Sequence, residues 1–143
     1  MNTLNLSRRS AVAAALLGLS GLAFAQAGAP VRVGSTLALT GPLSATAQIH
    51  KLVGEIYVEQ ANKRGGWLGR PIEWIVKDDQ SKPDLARTLY EQLVTADKVD
   101  LLMGPYATGA ILSAMGVAQR YNKVLVHHTF GIPSLSWTRA KTR

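Results

Sequence analysis

The chain has no cysteine, few aromatic residues and no glycine-rich phosphate loop. Aromatic residues make up 6% of its 143 residues. Without cysteine, disulfide frameworks and thiolate metal sites are not expected. Neither the G-x-G-x-x-G nor the G-x-x-x-x-G-K-S/T spacing occurs in the sequence, which argues against the common dinucleotide and nucleotide sites.

Acidic residues are also scarce: 9 Asp and Glu stand against 16 Lys and Arg, a formal charge of +7. Such an excess ordinarily suggests a nucleic-acid partner. Here five of the basic residues lie near the chain ends, namely Arg8, Arg9, Arg139, Lys141 and Arg143. The others are scattered and have no aromatic residues among them, unlike single-strand binders. We expect no nucleic-acid partner.

The N-terminal segment is typical of an exported protein. Arg8 and Arg9 precede an apolar run over residues 11–24, which is short and alanine-rich for a membrane span. Ala23 and Ala25 supply the small residues that a signal peptidase requires. We predict a signal peptide over residues 1–25, cleavage after Ala25 and a periplasmic destination, with the Sec and twin-arginine routes both open.

The remaining composition, 47% apolar and 17% charged, suits one globular domain. Strand patterns cover residues 31–39, 72–77, 99–103 and 124–126, and helix patterns cover residues 45–62, 84–96 and 108–121. Ser44 and Thr108 are the predicted N-caps, and Gly65 and Gly66 end the first helix. Three consecutive short crossovers predict parallel strands. The fold class is therefore α/β, a doubly wound parallel sheet.

The first helix carries an apolar stripe with helical spacing. Its members are Ile49, Leu52, Val53, Ile56, Tyr57 and Ala61.

Three segments carry a family resemblance. Residues 62–79 join a helix end, a Gly-Gly stop, a strand and an acidic turn, while residues 39–42 read Leu-Thr-Gly-Pro and residues 101–106 read Leu-Leu-Met-Gly-Pro-Tyr. Together they resemble the periplasmic solute-binding proteins of ABC importers, in the branch of leucine/isoleucine/valine receptors. The resemblance covers residues 31–133 and implies a periplasmic binding protein type I fold.

That family builds two lobes, so the resemblance implies that residues 26–133 form a partial N-terminal lobe. Residues 134–143 are expected to be a basic tail outside the family, produced by a frameshift or premature stop, or by a split gene. A partial lobe would leave an unpaired strand edge and exposed helix faces. We expect the chain alone to bind amino acids poorly or not at all.

Ligands of such sheets bind at the carboxyl ends of the strands. The resemblance places the ligand carboxylate at Thr108 and Gly109, where a helix N-terminus favours an anion, with Tyr106 close enough to stack. It places the ligand ammonium group near Thr129, Phe130 and Gly131. The Thr40 hydroxyl is a further candidate, although residues 40–42 can also be a turn with no ligand role.

Other chemistry finds little support in the sequence. His127 and His128 are adjacent on a predicted strand and point to opposite faces, so no metal site is expected, and His50 is expected at the surface. Asp78 and Asp79 are expected to be a structural turn. No nucleophile, base and orienting group can be assembled, so we expect neither an enzyme nor a cofactor.

The implied function is the substrate-binding component of an ABC transporter for branched-chain or related amino acids, with an inner-membrane permease as partner. The alternatives are a ligand-sensing module of a regulatory system and a Rossmann-like enzyme fragment.

Overall fold

The structure is a computed structural model that describes residues 28–129. Strands and helices alternate through this range, as the sequence patterns predict. The elements are β1 (Val31–Leu37), α1 (Ser44–Lys63), β2 (Ile72–Asp78), α2 (Pro83–Thr95), β3 (Leu101–Met103), α3 (Thr108–Arg120) and β4 (Leu125–Val126). The predicted α/β class is confirmed.

The four strands form one sheet in the order β2-β1-β3-β4, and every neighbouring pair is parallel. Val33 of β1 pairs with Trp74 of β2 on one side and with Leu101 of β3 on the other. This register brings the carboxyl ends of the strands to one edge of the sheet. The predicted doubly wound arrangement is confirmed for the described part of the chain.

β1 and β3 are each two residues shorter than predicted, and β4 is one residue shorter. β1 ends at Leu37, where the Leu39 amide donates to the Leu37 carbonyl at 2.9 Å. β3 begins at Leu101 because the amide of Val99 donates back to Leu93 at the end of α2, at 3.1 Å. Val99 is nevertheless fully buried.

The predicted N-caps were each misplaced. Ser44 and Thr108 are the first helical residues, and Leu43 and Ala107 occupy the positions before the helices, with no side-chain capping bond there. The Ser44 amide already donates to the Gly41 carbonyl at 3.1 Å. The turn before α1 therefore provides an acceptor for one of the first amides of the helix, as a capping side chain would.

The glycine pair ends α1 as predicted. Gly65 and Gly66 have φ of 96° and 73°, a left-handed conformation that glycine adopts without a steric penalty. The Gly66 amide donates to the Ala61 carbonyl at 2.9 Å, which closes the last turn. A Cβ on Gly66 would lie 1.9 Å from the Arg70 carbonyl oxygen, so no other residue fits.

Helices cover the two faces of the sheet unequally. α2 and α3 pack on one face around a cluster of fully or nearly fully buried side chains. Its members are Tyr90, Leu93, Val94, Val99, Leu102, Ala114, Val117 and Ala118.

α1 lies alone on the other face, within the described range, and contacts the sheet through small residues. Ala47 and Ala61 are buried, and Gly54 sits against the Trp74 ring. These three residues are seven apart, which places them along one line of the helix. Most of the predicted apolar stripe lies beside that line and is exposed: Ile49 by 62%, Leu52 by 57% and Val53 by 60%.

Candidate functional site

Four loops meet at the carboxyl edge of the sheet, and hydrogen bonds join them. The Ser81 hydroxyl, after β2, accepts from the Leu43 amide at 3.2 Å and donates to the Thr40 carbonyl at 3.2 Å. The Thr129 hydroxyl, after β4, donates to the Tyr106 carbonyl at 2.7 Å. These bonds join the loops in two pairs, the loop after β1 with that after β2 and the loop after β3 with that after β4, and the four loops together are called the rim.

Asp78 fixes the loop after β1. Its carboxylate accepts from the Thr40 hydroxyl at 2.7 Å and from the Thr40 amide at 3.1 Å. Burial acts to raise the pKa of Asp78, but these bonds and that from the Gln80 amide outweigh it and lower the pKa. Thr40 is therefore engaged in the turn, which is the structural alternative that the sequence left open, and its role toward a ligand stays a prediction.

Asp79 is part of a buried polar network between β1 and α2. It accepts from the Thr36 hydroxyl at 2.7 Å and from the Ser81 amide at 3.0 Å. Burial raises the pKa of its carboxyl despite these bonds. The Tyr90 hydroxyl accepts from the Thr36 amide at 3.2 Å and donates to the Met103 carbonyl at 2.5 Å. Both acidic residues therefore serve the architecture of the rim.

The loop between β3 and α3 carries the predicted carboxylate site. Gly104 and Pro105 are buried and anchor the loop, whereas Tyr106 and Thr108 are partly exposed and Gly109 is exposed at the start of α3. The first amides of a helix have no intrahelical partners and favour an anion. The structure thus places all three predicted residues of this loop at the strand tips.

The predicted ammonium site is only partly described. Thr129 lies on the rim, but its hydroxyl contacts the carbonyls of Pro105 and Tyr106. Phe130 and Gly131 lie outside the described residues, as does Ala25. These three assignments stay predictions.

His50, which was expected at the surface, is partly exposed and belongs to a ring cluster on the rim. Its ring centre lies 5.1 Å from that of Tyr106 and 5.0 Å from that of His128. Burial lowers the pKa of His128, and the neighbouring His50 and His127 lower it further. Sequence spacing gave no signal for this cluster, because His50 and His128 are far apart in the chain and meet only in the folded structure.

A groove of about 600 Å³ runs between α1 and its face of the sheet. His50 and His128 line its rim end. The rest of its wall is mainly apolar and includes Val33, Leu37, Ile49, Val53, Trp74 and Met103.

Residues 28–129 contain neither a cluster of three or more metal ligands nor a candidate membrane span. No three His, Cys, Asp or Glu side chains in that range are grouped so as to hold a metal ion. No helix there has the length and apolarity needed to cross a bilayer.

Curated relatives match most of this chain. It is 33% identical over 112 residues to the chemotactic signal transduction system substrate-binding protein BasB of Halobacterium salinarum, covering 77% of this chain and 27% of that protein. It is 28% identical to the Leu/Ile/Val-binding protein BraC3 of Rhizobium johnstonii, covering 82% of this chain and 32% of that protein. The chain thus spans about a third of the length of these relatives.

Among solved structures, the described fold resembles the branched-chain amino acid transporter substrate-binding protein LivJ of Streptococcus pneumoniae in complex with isoleucine. The TM-score is 0.72 at 26% identity, covering 76% of this chain and 31% of that one.

The sequence profile of the periplasmic binding protein family matches residues 30–141, a range that includes most of the segment after Pro133. That match takes in well over half of the chain, and the parallel sheet has the corresponding fold. The chain therefore belongs to the periplasmic binding protein family, and it resembles the Leu/Ile/Val-binding members of that family.

Proposed function

We propose that this chain is part of the substrate-binding component of an ABC importer for branched-chain or related amino acids, and that it acts in the periplasm without catalysing a reaction. The observation that carries the proposal is the rim loop from Gly104 to Gly109, which presents Thr108 and the first amides of α3 at the tips of parallel strands. Membership of a family of periplasmic binding proteins supports it.

The proposed ligand mode follows from this geometry. The ligand carboxylate accepts hydrogen bonds from the α3 amides near Thr108 and Gly109, and the positive end of the helix dipole stabilises the charge. Tyr106 flanks the ligand, while Thr129 and the residues after it contact the ammonium group. Thr40 stiffens the opposite side of the rim through Asp78.

In the proposed function, the rim forms one side of a cleft. A ligand bound to it alone remains open to water and lacks a second set of contacts, which weakens affinity. We therefore expect the chain by itself to bind leucine, isoleucine and valine more weakly than micromolar.

The test is a titration of ¹⁵N-labelled chain with isoleucine, followed by NMR. We expect shift changes centred on Tyr106, Thr108 and Gly109. Thr108→Ala, which removes the hydroxyl but keeps the α3 amides, should weaken them, whereas Thr95→Ala, which changes an exposed threonine at the far end of α2, should leave them intact. Shift changes confined to another surface would refute the site, and a micromolar or tighter dissociation constant would refute the expected weakness.

A sensing role is the second candidate, because the relative BasB is described as part of a chemotactic signal transduction system. The two roles use the same ligand site and differ in the partner. Co-purification with an ABC permease would favour import, and co-purification with a chemotaxis transducer would favour sensing.

A further inference from the structure

Two of the three histidines meet on the rim although they are far apart in sequence. His50 belongs to α1 and His128 follows β4, and their ring centres are 5.0 Å apart with the ring planes at 56°. His127, the third histidine, does not line the groove that His50 and His128 line, and it lies against Gly104, on which a built Cβ would come within 2.6 Å of the His127 Cβ.

The hydrogen bond of His50 fixes its tautomer. Nδ1 lies 3.0 Å from the Thr46 carbonyl oxygen, and a carbonyl only accepts, so Nδ1 carries the hydrogen. Nε2 then keeps its lone pair. A bond of this kind, from one ring nitrogen to a backbone carbonyl, is what orients histidines that bind metals through the other nitrogen.

The separation of the rings fits two ligands of one ion. A zinc–nitrogen bond is about 2.0–2.1 Å, so each ring centre would lie roughly 3.2 Å from the ion, and two such centres at a tetrahedral angle are about 5 Å apart. The observed 5.0 Å agrees. Packed aromatic rings also adopt such separations. The experiment must therefore distinguish metal binding by the nitrogen lone pairs from simple packing of the two rings.

We propose that His50 and His128 are two ligands of a binding site for a first-row transition-metal ion such as Zn²⁺, Ni²⁺ or Co²⁺. Imidazole is a preferred ligand of these ions. Within residues 28–129 no third His, Cys, Asp or Glu completes the set, so water or an external carboxylate takes the other positions. The ion is accordingly exchangeable, unlike that of a closed structural site.

Tyr106 lies against the His50 ring, with the two ring centres 5.1 Å apart.

The experiment is a titration of the tag-free chain with Co²⁺, followed by the visible absorption of tetrahedral cobalt, with Zn²⁺ competition to give relative affinities. Each histidine is replaced in turn by phenylalanine, which keeps a ring and removes the lone pair. His50→Phe and His128→Phe should each weaken binding by about tenfold or more, whereas the matched control His127→Phe should stay within about twofold of the original chain.

Circular dichroism checks the fold of each variant, and His→Gln replaces any phenylalanine variant that misfolds. The absence of saturable Co²⁺ binding would overturn the proposal. Equal losses in all three variants would also overturn it, since they would show scattered surface imidazoles rather than a pair. None of these readouts depends on amino-acid binding, so the metal site and the proposed transport function fail or succeed separately.

Discussion

The two faces of the sheet differ in how they are covered. On the face of α2 and α3, Tyr90, Leu93 and Leu102 have at most 1% of their surface exposed. On the face of α1, the largest apolar side chains of the helix are exposed by 45–62%, and a groove separates the helix from part of the sheet. Two helices enclose a core on one side of the sheet. On the other side, α1 alone covers only part of the sheet.

Strand alternation explains how one sheet supports two different environments. Gly34 and Thr36 of β1 face α2 and contact Leu93, Val99 and Tyr90. Val33, Ser35 and Leu37 point to the opposite side and line the groove. The hydrophobic effect acts on apolar area removed from water, so the covered face should contribute most of the stability. The open face is available for further contacts.

The largest expected effect comes from truncating matched leucines on the two faces. Leu93→Ala creates a cavity among fully buried side chains and should lower the free energy of unfolding by about 2–5 kcal/mol. Leu52→Ala, at a position exposed by 57%, should change it by about 0.5 kcal/mol or less. Urea denaturation followed by circular dichroism measures both. Similar losses would mean that the outer face of α1 is buried in solution.

The contact between α1 and Trp74 gives a smaller effect. A Cβ on Gly54 would lie 2.3 Å from the Trp74 ring, so Gly54→Ala should push helix and sheet apart and cost about 1–3 kcal/mol. Gly116→Ala is the matched control, because its Cβ would meet no atom within 4 Å. It should stabilise α3 by about 0.5–1 kcal/mol. Gly54→Ala stabilising to the same extent would show that α1 does not rest on Trp74.

The pH dependence of stability should be the smallest effect, and it has opposite signs at adjacent residues. The pKa of Asp79 is raised in the folded chain, so its contribution is present below its ordinary pKa and is lost as pH rises through the folded pKa. The pKa of Asp78 is lowered, so its contribution is present above the ordinary pKa and is lost as pH falls through the folded pKa.

The two asparagine variants test these signs. Relative to the original chain, the melting temperature of Asp79→Asn should fall least, or rise, at the upper end of the acidic pH range. The melting temperature of Asp78→Asn should fall most there. Thermal melts across pH 3 to pH 7 measure the difference, and parallel pH profiles for the two variants would contradict the assignment of one aspartate to the buried network and the other to the loop edge.

Much of the fold could be predicted because local patterns and global packing agree. Gly65 and Gly66 end α1 because the backbone there is left-handed, a conformation that favours glycine. The alternation of strands and helices with short connections favours parallel strands. Helix starts were less predictable. Ser44 has the side chain of an N-cap, but a backbone bond to Gly41 displaced it from that position. The predicted ligand residues within residues 28–129 lie at the strand tips for the same topological reason, while their contacts with a ligand stay predictions.

The cluster of His50, Tyr106 and His128 could not be predicted, since no periodicity connects a helix residue with residues 56 and 78 positions later. Nor did the stripe on α1 reveal which residues would contact the sheet. The helix rests on Ala47, Gly54 and Ala61 because small side chains permit close approach to Trp74.

By itself, the sequence determined the alternation of strands and helices, the parallel sheet and the edge at which the βα loops gather, because these depend on short-range patterns and on the chirality of crossovers. Only the tertiary structure decided which side of α1 meets the sheet, that Asp78 and Thr40 secure one loop, and that two distant histidines share a rim. Those outcomes depend on the shapes of surfaces from separate parts of the chain, and shape complementarity is created only when the elements pack.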